Sequence, residues 1–371
     1  MKIGIFPMIA GQQGGGVETY ELSLVQQLAA LESPHQFHLF CLDQKTADAF
    51  GSLPENFRKQ VVWPGRRIPA YFLGLPLAIR HSGVDLVHAT FVPPWASPRP
   101  VVLTMHDICM HTHPELYPRR IRRRFGRLVF RRLGKMNRLV CISETTRSQT
   151  VQHFSIPRGR TSVVPLGVDE RFRPASNDTI EVTLRRLGIP QDYILYAGNL
   201  RVGGKNLVRI LEAFRLLLDR CQRPITLVFT GRRSWGVSEL DATIERLELG
   251  SSIRYTGWLS PEDVPVMYSG ARLLIFPSLC EGFGLPALEA MACGTPVVTS
   301  RLSCMPEITG NAAYLVDPLS VPEIATGMQR LLEDEDLHQS LRKKGLLHVR
   351  QYTWSRTAQE TMAIYDLCGG S

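Results

Sequence analysis

The sequence predicts an α/β protein built from two doubly wound parallel sheets. Three observations carry this. The chain has 371 residues, more than one hydrophobic core usually serves. Short apolar runs of strand length alternate with longer segments of helical period, as in a parallel sheet covered on both faces. That alternation runs twice, interrupted by a polar, Pro-containing stretch that ends near residue 178. The expected organisation is a first domain over residues 1–170, a linker over 171–190 and a second domain beginning at 191, with a cleft between the two.

The first domain starts with a strand at 2–6, K-I-G-I-F. A Gly-rich loop at 11–16 leads into a helix at 17–31, where Val17, Leu24, Val25, Leu28 and Leu31 keep helical spacing. Further strands are expected at 37–42, 84–88, 101–105, 138–142 and 161–165. The second series reads 193–198, 225–231, 253–257, 271–277, 296–300 and 313–316, with helices between, including 206–218 and 322–332. In such sheets ligands bind at the carboxyl ends of the strands.

Composition narrows the class. Apolar residues make up 44% and charged residues 21%, ordinary for a soluble globular chain. No run of about 18 apolar residues suggests a membrane span, and the N-terminus lacks the apolar core of a signal peptide. The eight cysteines form no C-x-x-C pair. Several sit in apolar strand patterns, so reduced, buried thiols of a cytosolic protein are expected rather than zinc ligands.

The chemistry lies at strand ends. Residues 280–293 read C-E-G-F-G-L-P-A-L-E-A-M-A-C after an apolar strand. Gly282 and Gly284 permit close backbone approach to a ligand. The N–H groups of Phe283, Gly284 and Leu285 come just before a helix, where donors face outward. Glu281 at the lip and Glu289 on the helix are acceptors suited to hydroxyls. Gly14, Gly15 and Gly16 form a strand-to-helix turn of phosphate-cradle type. They miss the G-x-G-x-x-G spacing, which argues against a dinucleotide oxidoreductase. His106 ends another strand in T-M-H-D. Arg201 and Lys205, with Gly203 and Gly204 between them, suit a diphosphate and its departing charge. His111 and His113 lack an acid or Cys to complete a metal set. Asp334, Glu335 and Asp336 do not follow a strand, so a solvated charge run is expected there. There is no G-x-S-x-G for a serine triad.

These motifs carry a resemblance. The run E-G-F-G-L-P-A-L-E-A-M-A-C-G-T-P-V-V-T-S resembles the donor-site motif of retaining GT-B glycosyltransferases of family 4, the group 1 class. G-G-G-V-E-T, T-M-H-D at 104–107, C-I-S-E-T-T at 141–146, V-P-L-G-V-D at 164–169, Y-A-G-N-L at 196–200, K-N at 205–206 and P-E-I-T-G-N-A-A at 306–313 follow in order. The likeness spans the chain. It implies two Rossmann-like domains, the second closing at 351, and a last helix over 352–371 that crosses back to the first. It implies that Glu281 bonds the transferred sugar and that the backbone at Phe283, Gly284 and Leu285 contacts sugar and diphosphate. Glu289 would take the ribose hydroxyls, and Arg201 and Lys205 would neutralise the leaving group in place of a metal. Gly15 and Gly16 would complete the phosphate site, with His106 near the reacting face. Two departures stand out: L-R-V-G-G-K-N is longer than the usual P-R-K-N loop, and Cys280 replaces a common tyrosine.

The formal net charge of +9 is local. Residues 118–138 hold nine Arg and one Lys with no acid, which leaves the rest of the chain at −1. Ile121, Phe125, Leu128, Val129, Leu133 and Met136 keep helical spacing, so a basic amphipathic helix is expected. Arg119, Arg120, Arg122, Arg123, Arg124 and Arg127 suit an anionic membrane surface or a lipid diphosphate acceptor. Packing of the stripe on the core, with solvated arginines, is the alternative. No aromatic-rich motif accompanies them, so nucleic acid is not expected.

The expected activity is a metal-independent, retaining transfer of a hexose, mannose first, from a nucleotide sugar. GDP-mannose is the first donor considered and a UDP-sugar the second. The acceptor is a glycan or lipid-linked glycan of polysaccharide assembly. The site is expected in the cytoplasm, at most peripheral to the inner membrane face. A sugar-nucleotide epimerase and a non-catalytic nucleotide-binding scaffold are the alternatives.

Overall fold

The computed structural model describes residues 1–221 and 224–369. Two compact units divide the chain. One holds Met1–Pro114, Pro118–Gly167 and the chain from Tyr352 onward; the other holds Glu115–Tyr117 and Val168–Gln351.

The first unit is a seven-stranded parallel sheet of β1 (Lys2–Phe6), β2 (Gln36–Cys41), β3 (Phe57–Val61), β4 (Leu86–Ala89), β5 (Val101–Met105), β6 (Arg138–Cys141) and β7 (Thr161–Val163). Their order is β3-β2-β1-β4-β5-β6-β7. The strand order reverses between β1 and β4, which opens a crevice at their carboxyl ends. Central strands such as β5 are buried along their whole length, as covering both faces demands. β3 was not expected: F-R-K-Q-V exposes Arg58 and Lys59, and an edge strand needs only one apolar side.

Helix Trp354–Gly369 belongs to this unit and packs on helix Gly16–Ala30. A buried polar chain secures it. His88 Nδ1 lies 2.6 Å from the Tyr365 hydroxyl, and His88 Nε2 lies 2.8 Å from Thr104 Oγ1. The Tyr20 hydroxyl meets the same Thr104 oxygen at 2.8 Å. Gly167 allows the closest approach, because a Cβ there would sit 2.1 Å from the Trp354 amide nitrogen.

The second unit is a six-stranded parallel sheet: β8 (Tyr193–Ala197), β9 (Thr226–Thr230), β10 (Ile253–Gly257), β11 (Leu273–Phe276), β12 (Val297–Ser300) and β13 (Tyr314–Val316). Its order is β10-β9-β8-β11-β12-β13, with the reversal between β8 and β11.

Three expectations are corrected. Residues 171–190 are not a linker. They contain helix Asn177–Leu187, capped by Ser176 and packed on helix Asp263–Gly270. Its polar composition hides the inward-facing Thr183 and Leu184, both buried. The basic segment is not one helix. It runs as helix Arg119–Leu128, breaks at Val129 and continues as the 3-10 turn Phe130–Lys135. Finally, Cys41, Cys141, Cys221, Cys293, Cys304 and Cys368 are free thiols, but Cys109 and Cys280 are not. No helix among the described residues is long and apolar enough to cross a membrane.

Candidate active site

In the second unit the site is built on the β8/β11 reversal. β8 and β11 pair directly, Leu273 opposite Ile194 and Leu274 opposite Leu195. Their following loops therefore emerge side by side. Leu279 N–H donates to the Gly204 carbonyl at 2.8 Å, which ties the loops together. Asn206 adds to this. It is buried with a left-handed backbone (φ 60°), and its amide donates to the carbonyls of Pro277 at 3.0 Å and Pro318 at 2.6 Å.

That scaffold brings Lys205 Nζ to 2.5 Å from Glu281 Oε1, with the two side chains 14% and 12% exposed. The ammonium also lies 5.0 Å from the Phe276 ring centroid. Ser303 clamps the Glu281 backbone at both ends: it accepts from the Glu281 amide at 3.0 Å and donates to the Glu281 carbonyl at 2.7 Å. Gly284 precedes helix Leu285–Ala292 at φ 90°, and a Cβ there would fall 2.7 Å from Met305 Sδ. Only glycine meets both conditions. Phe283 and Leu285 flank it and are buried.

Glu289 stands on the same helix, with Oε2 accepting from the Tyr268 hydroxyl at 2.8 Å. Burial pushes its carboxyl up to about 6, against the Tyr268 hydrogen bond and the Arg171 charge, which hold it down. Arg201 stands outside the Lys205–Glu281 pair. Its guanidinium lies 5.3 Å from the Trp235 ring centroid and 5.9 Å from that of Tyr117. These two rings hold the cation in place of a carboxylate. No motif in the sequence points to Trp235, whose Nε1 is buried without a hydrogen-bond partner, nor to a site role for Tyr196. The Tyr196 hydroxyl is likewise buried and unpartnered. Burial, then the Glu281 charge, makes it a weaker acid, and the Arg201 charge opposes them.

In the first unit the loop after β1 bends through Gly15 (φ 69°) into helix Gly16–Ala30. The Gly14 amide is occupied by Glu18 Oε2 at 2.7 Å. The organiser is Glu21, which is fully buried. It accepts from the amides of Met8 at 2.8 Å, Ile9 at 2.7 Å and Ala10 at 2.6 Å, and from Thr90 Oγ1 at 2.6 Å. Burial pushes this carboxyl up, and those four donors hold it down. One signal for it does exist in the sequence: Glu21 sits three residues before Leu24 and four before Val25, on the apolar face of its helix.

Thr90 also carries His106, whose Nε2–H donates to the Thr90 carbonyl at 2.8 Å. That bond sets the tautomer and leaves Nδ1 as an acceptor. Burial pulls the imidazole down to about 4, so it is neutral near pH 7. Tyr20 and Phe91 pack against it, with ring centroids at 5.0 and 5.9 Å. The basic helix is one ring further on: Phe125 lies 5.4 Å from Phe91. Asp334 is a helix cap, accepting from Leu337 N–H at 3.0 Å.

Two Rossmann-like units, the second with a Lys–Glu pair and a buried Glu around a Gly-bounded helix start, define the GT-B glycosyltransferase class. The family model "Glycosyl transferases group 1" matches residues 183–347, and "Glycosyltransferase Family 4" matches residues 14–172. The chain is 30% identical over 367 residues to the O-antigen chain mannosyltransferase B of Escherichia coli, covering 95% of this chain and 96% of that one. Among solved structures it resembles Anabaena HepE in complex with UDP and glucose, with TM-score 0.75 and 19% identity over 99% of each chain. It also resembles WaaG, a glycosyltransferase involved in lipopolysaccharide biosynthesis, with TM-score 0.76 and 17% identity over 98% of this chain and 99% of that one. The chain belongs to glycosyltransferase family 4 and is a glycosyltransferase.

Proposed function

We propose that this enzyme transfers a mannosyl group from GDP-mannose, with retention and without a metal ion, to a glycan or lipid-linked acceptor of surface polysaccharide assembly. The observation that carries the site assignment is the Lys205–Glu281 pair at the β8/β11 reversal. The choice of mannose is supported by the Escherichia coli relative, an O-antigen chain mannosyltransferase.

Glu281 accepts hydrogen bonds from hydroxyls of the transferred sugar, and Glu289 from the ribose. The backbone from Phe283 to Leu285 contacts sugar and diphosphate. Lys205 and Arg201 meet the diphosphate, where two fixed cations offset the charge that develops on the leaving oxygen. Gly15 and Gly16 supply amides to phosphate, and neutral His106 accepts from a substrate hydroxyl through Nδ1. In the step itself the bond from sugar C1 to the phosphate oxygen breaks. A bond from C1 to the acceptor oxygen forms on the same face, and the acceptor proton passes to the departing diphosphate.

The test is a thermal-shift screen of GDP-, UDP-, ADP- and dTDP-sugars, followed by transfer assays with chelator and NMR of the product anomer. Selective stabilisation by GDP-mannose is expected, because a ligand that binds only the folded state raises its melting temperature. Selective stabilisation by a UDP-sugar would replace the donor. An inverted product, or activity abolished by chelator, would overturn the mechanism, and conversion of the donor without acceptor would indicate an epimerase.

A further inference from the structure

Most apolar side chains of the basic segment are already engaged within the first unit. Val129, Leu133 and Met136 belong to the core of the first unit, and Phe125, Leu128 and Phe130 pack against that core. What it shows to solvent is charge. The apolar surface lies next to it. Of the fourteen exposed large hydrophobic side chains among the described residues, seven fall between residues 61 and 95. Trp63 is 75% exposed, Ile68 70% and Leu73 63%.

The local backbone explains why they cluster. Residues 67–82 run as one helical stretch, Arg67–Pro69, then a π-helical turn Ala70–Gly74, then Leu75–Ser82. Ala70, Tyr71, Gly74 and Leu75 face the core. Ile68, Phe72, Leu73 and Leu77 are left outside. Trp63 joins them because Gly74 lets its backbone approach: a Cβ on Gly74 would sit 1.8 Å from the Trp63 carbonyl oxygen. Trp95 joins through Phe72, with ring centroids 5.1 Å apart. The link to the basic segment is Arg132. Its guanidinium donates to the carbonyls of Pro94 at 2.5 Å and Trp95 at 2.6 Å and lies 5.5 Å from the Trp95 ring centroid.

The charge along this stretch of chain is positive, with Arg67 alone of its cations, among the described residues, paired to a carboxylate, that of Asp43. Between Glu55 and Asp85 the chain has no acid but carries Arg58, Lys59, Arg66, Arg67 and Arg80. A second copy of the chain would oppose cations to cations, and an electrostatically matched occupant is anionic. Tryptophans beside leucines, rimmed by arginines, match a bilayer interface, where rings sit at headgroup depth and cations meet anionic lipid.

We propose that Trp63, Ile68, Phe72, Leu73, Leu77 and Trp95 dock on an anionic phospholipid bilayer, with the exposed arginines of helix Arg119–Leu128 contacting headgroups. This deepens the reading of a lipid-linked acceptor, but its test does not depend on that reading.

The test is flotation of the full chain with phosphatidylcholine vesicles, with and without phosphatidylglycerol, at low and raised salt. Tryptophan emission is recorded in parallel. The wild-type protein is expected to float with the anionic vesicles and to shift its emission to the blue. Ile68→Glu/Leu73→Glu should lower the partition coefficient about tenfold or more and abolish the blue shift. Arg119→Gln/Arg123→Gln/Arg127→Gln should lower binding mainly at low salt. The milder Leu73→Ser guards against misfolding and should give a smaller loss in the same direction, with donor-induced thermal stabilisation unchanged in every variant. Failure of the wild-type protein to float, or flotation of Ile68→Glu/Leu73→Glu as wild type, overturns the proposal. A change of oligomeric state in that variant with flotation intact would assign the patch to self-association instead. Loss of transfer to every acceptor with flotation intact would count against the functional reading alone.

Discussion

The two reversal crevices have the same topology and opposite fillings. Each opens where the strand order turns, between β1 and β4 in one sheet and between β8 and β11 in the other. Each contains a carboxylate. In the first unit Glu21 is buried and its oxygens are taken by three amides and a threonine hydroxyl. In the second, Glu281 has one side-chain partner, Lys205, and keeps some exposure. A carboxylate saturated by its own backbone acts as scaffold. One held by a single cation can exchange part of that contact for a ligand. The difference shows why a carboxylate at a sheet reversal is not by itself a ligand-binding group.

Removing the scaffold carboxylate should have the largest effect. Glu21→Ala leaves three loop amides without their acceptor, while the Thr90 hydroxyl keeps only the Phe6 carbonyl. We expect a stability loss of at least about 3 kcal/mol by chemical denaturation, since each buried donor left unpaired costs about 1–3 kcal/mol. Transfer should fall as well, because Thr90 also holds His106. An unchanged denaturation midpoint would show that Glu21 does not organise this crevice.

The ligand-facing carboxylate should behave in the reverse way. Glu281→Ala or Lys205→Ala should lower kcat/KM by about 100-fold or more, the scale seen when one preorganised charge-stabilising group is lost. Stability should change far less than in Glu21→Ala. Transfer within a few-fold of wild type in Glu281→Ala would remove it from the donor site.

Acid should separate the two crevices as well. Burial pulls His88 down to about 3 and His106 to about 4, from an ordinary 6.5. Both stay neutral in the folded protein while the unfolded chain takes up protons. Stability is therefore full above about pH 6.5 and falls as pH drops toward the folded values, by up to about 1.4 kcal/mol per pH unit for each histidine. His88→Gln should flatten that slope in denaturation series run from neutral pH to about pH 5. A slope equal to wild type would show that His88 does not stay neutral in the fold.

The strands of both sheets were legible because apolar runs bounded by Gly and Pro are the direct signature of buried parallel strands. β3 was not, since an edge strand with Arg58 and Lys59 outward lacks that signature. Helix Asn177–Leu187 read as linker because its buried side is narrow. The candidate site residues were visible as loop chemistry at strand ends. Their pairing was not, because Lys205 and Glu281 are brought together only by the adjacency of β8 and β11. The exposed apolar patch was hidden for a different reason: Ile68, Leu73 and Leu77 look in sequence like any core helix, and only burial separates them from Leu75 and Ile79.

The smallest effect concerns Glu289, the second carboxylate of the open crevice. Burial lifts it to about 6, and the Tyr268 hydroxyl opposes that rise. It accepts from a ligand hydroxyl through both oxygens only while ionised, so donor affinity should weaken as pH falls through about 6. Tyr268→Phe removes a bond that favours the charged form. The acid limb should then move to higher pH, and affinity below about pH 6 should drop by up to about 1 kcal/mol, roughly fivefold, with little change at neutrality. Donor titrations across pH, with Glu289→Gln as the reference that cannot titrate, would measure it. A limb unmoved in Tyr268→Phe, or still present in Glu289→Gln, would place the titrating group elsewhere in the second unit. The contrast with Glu21 would then rest on Glu281 alone.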